Sequence, residues 1–290
     1  MNDIEQVGTF KLGDRQIKRM GYGAMQLAGP GVFGPPKDKE SAIALLRAAV
    51  EYGVDHIDTS DFYGPHITNR IIREALHPYP KELTLVTKIG ARRDDKGDWL
   101  PAFSKAELTQ AVHDNLINLG LEQIEVVNLR AMFSAHGPAE GSISEPFSVL
   151  AELQQEGLIR HLGVSNVTEK QIEEVRAIAP IVCVQNHYNL AHRHDDALIE
   201  QLAQDGIAYV PFFPLGGFTP LQSTILQQEA ETLQASPLQV ALAWLLQRSP
   251  NILLIPGTSS IVHLQENLAA AQLVLPEESI NNLNRIASEA

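Results

Sequence analysis

Eight short apolar runs, at 19–25, 54–58, 83–88, 124–130, 159–164, 181–185, 207–213 and 252–256, are each separated from the next by an amphipathic helical pattern or a longer loop. This alternation constrains the fold more than any other feature of the chain. Runs such as LTLVT, IEVVNL and NILLI are apolar without a period of two. That pattern suits strands covered by helices on one side and packed inside a barrel on the other. Ala42, Leu45, Leu46, Ala49 and Val50 mark one helical face, and SKAE from Ser104, TEKQ from Thr168 and SPLQ from Ser236 have the spacing of capping boxes. Eight consecutive strand–helix units specify an α/β fold, a (β/α)8 TIM barrel. No Ser/Gly-rich linker, composition shift or internal repeat divides the sequence, so a single domain over 1–290 is expected.

A chain of 290 residues with 44% hydrophobic content can bury one large core. Its 22 basic residues stand against 35 acidic ones, a formal charge of −13, with no Lys/Arg cluster longer than a pair. That argues against nucleic acid or an anionic membrane as partner. The opening MNDIEQVGTF has no basic or apolar leader pattern, and no apolar run approaches the roughly 18 residues a membrane span needs, so a cytoplasmic protein is expected. Oligomeric state stays open, with a monomer compatible. Cys183 is the sole cysteine, which excludes an intrachain disulfide and a two-cysteine metal site. In IVCVQ it reads as a buried strand residue rather than a reactive thiol.

In such barrels the chemistry lies at the C-terminal ends of the strands. Asp58 ends the second run, Lys88 the third and Arg130 the fourth; Ser165 and Asn166 follow the fifth, and Gln185 ends the sixth. Asp58 and Lys88 on neighbouring strands can form a buried ion pair, and Tyr63, in the loop after Asp58, can reach back over Lys88. An ammonium beside a phenol favours the phenolate, so a lowered Tyr63 pKa and a general-acid role are expected.

The segments MGYGAMQL (20–27), HIDTSDFYG (56–64), LVTKIG (85–90), GLIRHLGVSN (157–166), VCVQNHYNL (182–190) and IPGTSSIVHLQENL (255–268) resemble, in order, the signatures of the aldo-keto reductases. The resemblance implies a barrel oxidoreductase that binds NADPH, less often NADH, extended across the barrel mouth without a Rossmann domain. It makes Asp58, Tyr63 and Lys88 three members of a catalytic tetrad. It assigns Ser165, Asn166 and Gln185 to the nicotinamide carboxamide and Phe212 to stacking on the nicotinamide ring. It also implies cofactor contacts for Gly23, Ala24, Met25 and Asp58, for Phe213, Leu215 and Gly217, and for Gly257. At the adenosine end it points to Thr258, Ser259, Ser260 and His263 for the 2′-phosphate, at the start of a helix, and to Glu266 and Asn267 for adenine. The Lys or Arg usual in that region is missing, which leaves NADH open beside NADPH.

Most of the family carries a histidine at the end of strand four, where this chain has Arg130; His136, six residues on, is the rival. A guanidinium is permanently charged and presents a planar fork of donors, which favours a substrate with a second, anionic oxygen beside the carbonyl. Together with Phe33, Phe62, Phe212 and Phe213, this points to a flat aromatic aldehyde with an ionisable oxygen. Within the family the chain looks most like the bacterial NADPH-dependent pyridoxal reductases, implying reduction of pyridoxal to pyridoxine. Reductases of other aromatic aldehydes, a low-turnover NADPH-binding regulatory protein and a Lys88 Schiff-base lyase are the alternatives.

Four other features receive plainer readings. AHRHDD (191–196) imitates a metal site but reads as an exposed helix start, and no metal is expected. AGPGVFGPP (28–36) reads as a loop framing the substrate pocket, Trp244 as helix packing and Asp61 as a solvated loop residue.

Overall fold

The computed structural model describes residues 3–134, 137–214, 216 and 223–288. Seven parallel strands lie side by side in chain order: Tyr22–Gly23, His56–Asp58, Thr84–Ile89, Ile124–Arg130, Ile159–Ser165, Ile181–Gln185 and Ala208–Tyr209. The eighth run, 252–256, closes the ring through parallel bridges: Tyr209 to Ile252 on one side, Met20 to Leu254 and Gly23 to Gly257 on the other. It forms bridges rather than a ladder partly because Pro256 has no N–H to donate. Closure also needs a bare backbone, since a Cβ on Gly23 would lie 2.4 Å from the Ile255 carbonyl oxygen. The result is the expected (β/α)8 barrel.

Helices α1 (Lys39–Glu51), α2 (Ile67–Leu76), α3 (Lys105–Leu119), α4 (Ser144–Gln155), α5 (Glu169–Arg176) and α6 (Asp196–Gln204) follow strands one to six in turn. Helices α7 (Thr224–Leu233) and α8 (Pro237–Arg248) precede the eighth run, with α9 (Ile261–Ala269) and α10 (Glu277–Asn284) after it. Ser104, Thr168 and Ser236 each form the reciprocal capping box with Glu107, Gln171 and Gln239.

Inside the barrel, polarity changes along the axis. Val86, Val126, Cys183, Ala208 and Leu253 form an apolar layer toward the floor. A hairpin, Thr9–Leu12 with Arg15–Lys18, plugs that floor by inserting Leu12 and Ile17, each 1% exposed. Its turn is fastened by Asp14, which accepts from the His161 ring at 2.9 Å and pairs with Arg160. Two residues further along three of these strands, Lys88, Asn128 and Gln185 replace the apolar side chains with polar ones and Ser165 joins them from strand five, while Val210 and Ile255 keep the remaining positions apolar. Among the described residues, no helix is long and apolar enough to cross a membrane.

Candidate active site

Asp58 pairs in register with Val86, so Lys88 lies one pleat beyond it and points into the barrel on the same side. Lys88 Nζ stands 2.5 Å from Asp58 Oδ1 and donates to the Thr59 carbonyl at 2.9 Å. Gln185 Nε2 donates to the other carboxylate oxygen, Oδ2, at 2.9 Å. Both oxygens of Asp58 are therefore engaged, and Asp58 and Lys88 are each 3% exposed. Burial works against the lysine's charge, but Asp58 and Tyr63 outweigh it and hold the Lys88 pKa above its ordinary value.

Tyr63 is 6% exposed, with Lys88 Nζ 5.1 Å from the centroid of its ring. The expected lowering of its pKa is not found. Burial pushes the phenol above its ordinary range, and the opposing pull of Lys88 and Arg130 only moderates the rise. Tyr63 is thus a protonated donor at neutral pH. Its ring meets Phe62 edge-on at 5.5 Å, and Phe62 meets Trp99 at 5.3 Å, so an aromatic wall excludes water from this side.

Arg130 faces the same mouth and is half-buried rather than a surface residue. Its Nη1 donates to Ser165 Oγ at 3.3 Å, and its guanidinium carbon lies 5.2 Å from the Phe212 centroid. It also acts electrostatically on Tyr63. The rival His136 lies outside the described residues, as do Leu215 and Gly217.

Asn166 takes a left-handed backbone, φ 59°, which asparagine tolerates better than most residues. Its Nδ2 donates to the Ala131 and Ser134 carbonyls at 2.8 and 2.9 Å. These bonds fix the side chain, while its buried Oδ1 has no partner. An orphaned acceptor at 1% exposure suits a ligand N–H, and a carboxamide carries two. Phe212 presents a ring stacked on His187 at 5.6 Å with an interplanar angle of 8°. His187, passed over in the sequence, is the support that sets the tilt of Phe212. Its pKa is pushed down to about 4 by burial and by His192 and His194, so it stays neutral.

Asp58, Tyr63, Gln185 and Phe212 open onto a cavity of about 590 Å³, whereas Lys88, Arg130, Ser165 and Asn166 are not among its lining residues. Asp58, Tyr63 and Gln185 line it on one side, Phe212, Phe213, Gly257 and Ser259 on another, and Gly23, Met25 and the loop from Ala28 to Val32 complete the wall. The loop is held by Arg93, which donates to the Gly31 and Val32 carbonyls at 2.9 and 2.8 Å and stacks 4.1 Å from Trp99. Arg93 and Trp99 belong to a hairpin, Ala91–Arg93 with Trp99–Pro101, that the apolar pattern did not signal. Lys37 is the one cationic side chain lining the cavity among the described residues.

Several expected contacts are placed elsewhere. Ala24 is fully buried in the main core, and Gly23 serves barrel closure as well as the cavity wall. The Thr258 hydroxyl is used within its own loop, accepting from Ser260 N at 3.1 Å, and its carbonyl accepts from Tyr22 at 2.7 Å. Of the adenosine-end residues Thr258, Ser259, Ser260, His263, Glu266 and Asn267, only Ser259 lines the cavity. Asp61 is 6% exposed instead of solvated, and burial with the nearby Asp114 charge pushes its pKa up to about 8. AHRHDD does open α6, with His192 and His194 exposed, but Asp195 at its N-cap is buried and accepts from Asn186 and Tyr209 at 2.9 and 2.8 Å, a structural role. Cys183 is fully buried with its pKa pushed up to about 12, and Trp244 is buried against Tyr188, both as read from the sequence.

The model of the Aldo/keto reductase family matches residues 19–288. Pyridoxine 4-dehydrogenase of Escherichia coli (strain K12) is 67% identical over 282 residues, 97% of this chain and 99% of that protein. Among solved structures, a thermostable aldo-keto reductase in complex with the inhibitor epalrestat is 28% identical and superposes with a TM-score of 0.80, covering 96% of this chain and 99% of the other. An aldo-keto reductase from Klebsiella pneumoniae in complex with NADPH, 23% identical, superposes with a TM-score of 0.77 over 96% and 94%.

Proposed function

The chain belongs to the aldo/keto reductase family, and we propose that it is an NADPH-dependent carbonyl reductase that converts pyridoxal to pyridoxine. The observation that carries the chemistry is the buried Asp58–Lys88 pair lying against Tyr63. When bound, NADPH supplies the hydride that reduces the carbonyl carbon. Tyr63 delivers the proton to the carbonyl oxygen, and a phenol held neutral by burial is in the correct state to do so. Lys88 steadies the phenolate that proton transfer leaves behind, and Asp58 holds Lys88 as an ammonium. An ammonium with no free lone pair is a poor nucleophile, which works against a Schiff-base lyase.

In this reading Asn166 Oδ1, with Gln185 and Ser165, receives the carboxamide, and Phe212 lies against the nicotinamide ring. Met25, Gly257 and Ser259 follow the cofactor along the wall. Lys37 precedes α1, which packs on α9, and Lys37, Asp38 and Ser41 line the same cavity as Ser259. It is the candidate counter-charge for the adenosine 2′-phosphate, in place of the cation missing from 258–267. Arg130 receives the carbonyl oxygen together with the adjacent 3-oxygen of pyridoxal, which explains a guanidinium at this position. The whole chain acting as one cytosolic barrel domain is part of the proposal. Steady-state turnover of pyridoxal and of plain benzaldehydes with NADPH and NADH tests it. NADPH binding without reduction of any aldehyde would instead favour a regulatory protein.

A further inference from the structure

The residues next in sequence to the two members of the ion pair, Thr59 and Thr87, point the opposite way, toward the helices. In an α/β barrel that outer layer is normally apolar. Here it holds four polar side chains, Thr59, Asn69, Thr87 and Asn115, each 0% exposed. They form one directed set of hydrogen bonds. Thr59 Oγ1 donates to Asn69 Oδ1 at 2.8 Å, and Asn69 Nδ2 donates to Asn115 Oδ1 at 2.9 Å. The same Asn115 oxygen accepts from Thr87 Oγ1 at 2.7 Å, and Asn115 Nδ2 donates to the Ala111 carbonyl at 2.8 Å. Strands two and three are thereby tied to α2 and α3 directly behind Asp58 and Lys88.

The Tyr63 loop is fastened to the same points. The Thr59 carbonyl accepts from Lys88 Nζ, and Ser60 Oγ donates to the Lys88 carbonyl at 2.8 Å. The Tyr63 carbonyl accepts from Thr68 N at 3.3 Å, in the first turn of α2, one residue before Asn69. Asn69 therefore joins the turn that holds Tyr63 to the threonine whose carbonyl holds Lys88. Apolar residues at these four positions would fill the volume, but they would leave the distance between phenol and ammonium to be set by loose packing.

We propose that Thr59, Asn69, Thr87 and Asn115 are positioning residues for proton transfer, a buried clamp that fixes Tyr63 against Lys88. The inference rests on Tyr63 being the proton donor and assigns the clamp a part in that step.

The test compares Thr59→Val, which is isosteric but lacks the hydroxyl, with Thr59→Ser, which keeps it. For Thr59→Val the kcat for pyridoxal reduction is expected to fall about tenfold, with the NADPH KM within about twofold. A phenol coupled more loosely to Lys88 is a weaker acid, so the alkaline limb of the kcat profile should move up by about half a pH unit or more. Thr59→Ser should restore both. Thr87→Val and Thr87→Ser repeat the comparison if Thr59→Val does not fold. An unchanged kcat and pH profile in the valine variants overturns the clamp, whatever happens to Tm. Tyr63→Phe run alongside separates the failures: an active Tyr63→Phe removes the underlying reading, whereas an inactive one beside normal valine variants removes only the clamp.

Discussion

The guanidinium of Arg130 lies 5.2 Å from the centroid of Phe212, whose ring is in turn parallel to His187 at 5.6 Å. A permanent cation is thus held beside the ring proposed to carry the nicotinamide, where most of the family has an imidazole. Arg130→His should keep reduction of benzaldehydes without an ortho oxygen, while efficiency with pyridoxal falls roughly 10-fold or more. That fall corresponds to the roughly 1.5–3 kcal/mol of a charge-assisted hydrogen bond. Arg130→Ala should lose more. Equal losses on both aldehydes would make Arg130 a general tuner of Tyr63 instead of a substrate contact.

Asn166 and Gln185 are the proposed carboxamide receivers. Asn166→Ala and Gln185→Ala should each weaken NADPH binding by about 1–2 kcal/mol in fluorescence titrations. Gln185→Ala should in addition lower kcat, because Asp58 Oδ2 loses its donor. Unchanged titrations in both variants would place the nicotinamide elsewhere.

Lys37→Ala should raise the Kd for NADPH by roughly two- to fivefold, the range of an exposed charge pair, and leave NADH binding unaltered. A parallel loss for both cofactors would exclude the 2′-phosphate as its partner.

Asp61 links the site to pH. Its folded pKa of about 8 lies above the ordinary carboxyl value, so the native state keeps a proton that the unfolded chain releases. The associated stability is complete below about pH 4 and is lost as pH rises from about 4 to about 8. Asp61→Asn removes this dependence. Its Tm should match wild type near pH 4 and exceed it by several degrees at pH 8. A constant difference across that range would contradict the buried-acid account.

The strand ends and caps were legible because they depend on local chemistry: Lys88, Gln185 and Ser165 fall at the barrel mouth, and all three capping boxes form. What escaped the sequence depends on distant partners. The floor hairpin is short and polar on its outer face, so only the insertion of Leu12 and Ile17 reveals its place. Asp61 and Tyr63 depart from expectation for one reason, burial, which no local pattern reports: it outweighs the pull of Lys88 and Arg130 on Tyr63 and acts together with the Asp114 charge on Asp61. Thr258 matches a cofactor motif, yet its hydroxyl is occupied by the backbone of its own loop. His187 stacks on Phe212 through a parallel bridge between residues 25 positions apart, beyond any local pattern.

The central claim is that Tyr63 gives its proton to an aldehyde reduced by NADPH. The most direct measurement is pyridoxal-dependent oxidation of NADPH by wild type and Tyr63→Phe, with NADPH affinity measured on the same samples. The account predicts pyridoxine as product, a rate lowered by roughly 10²–10⁴-fold in the variant and nearly equal cofactor affinity. Retention of more than about a tenth of the wild-type rate in Tyr63→Phe would contradict it.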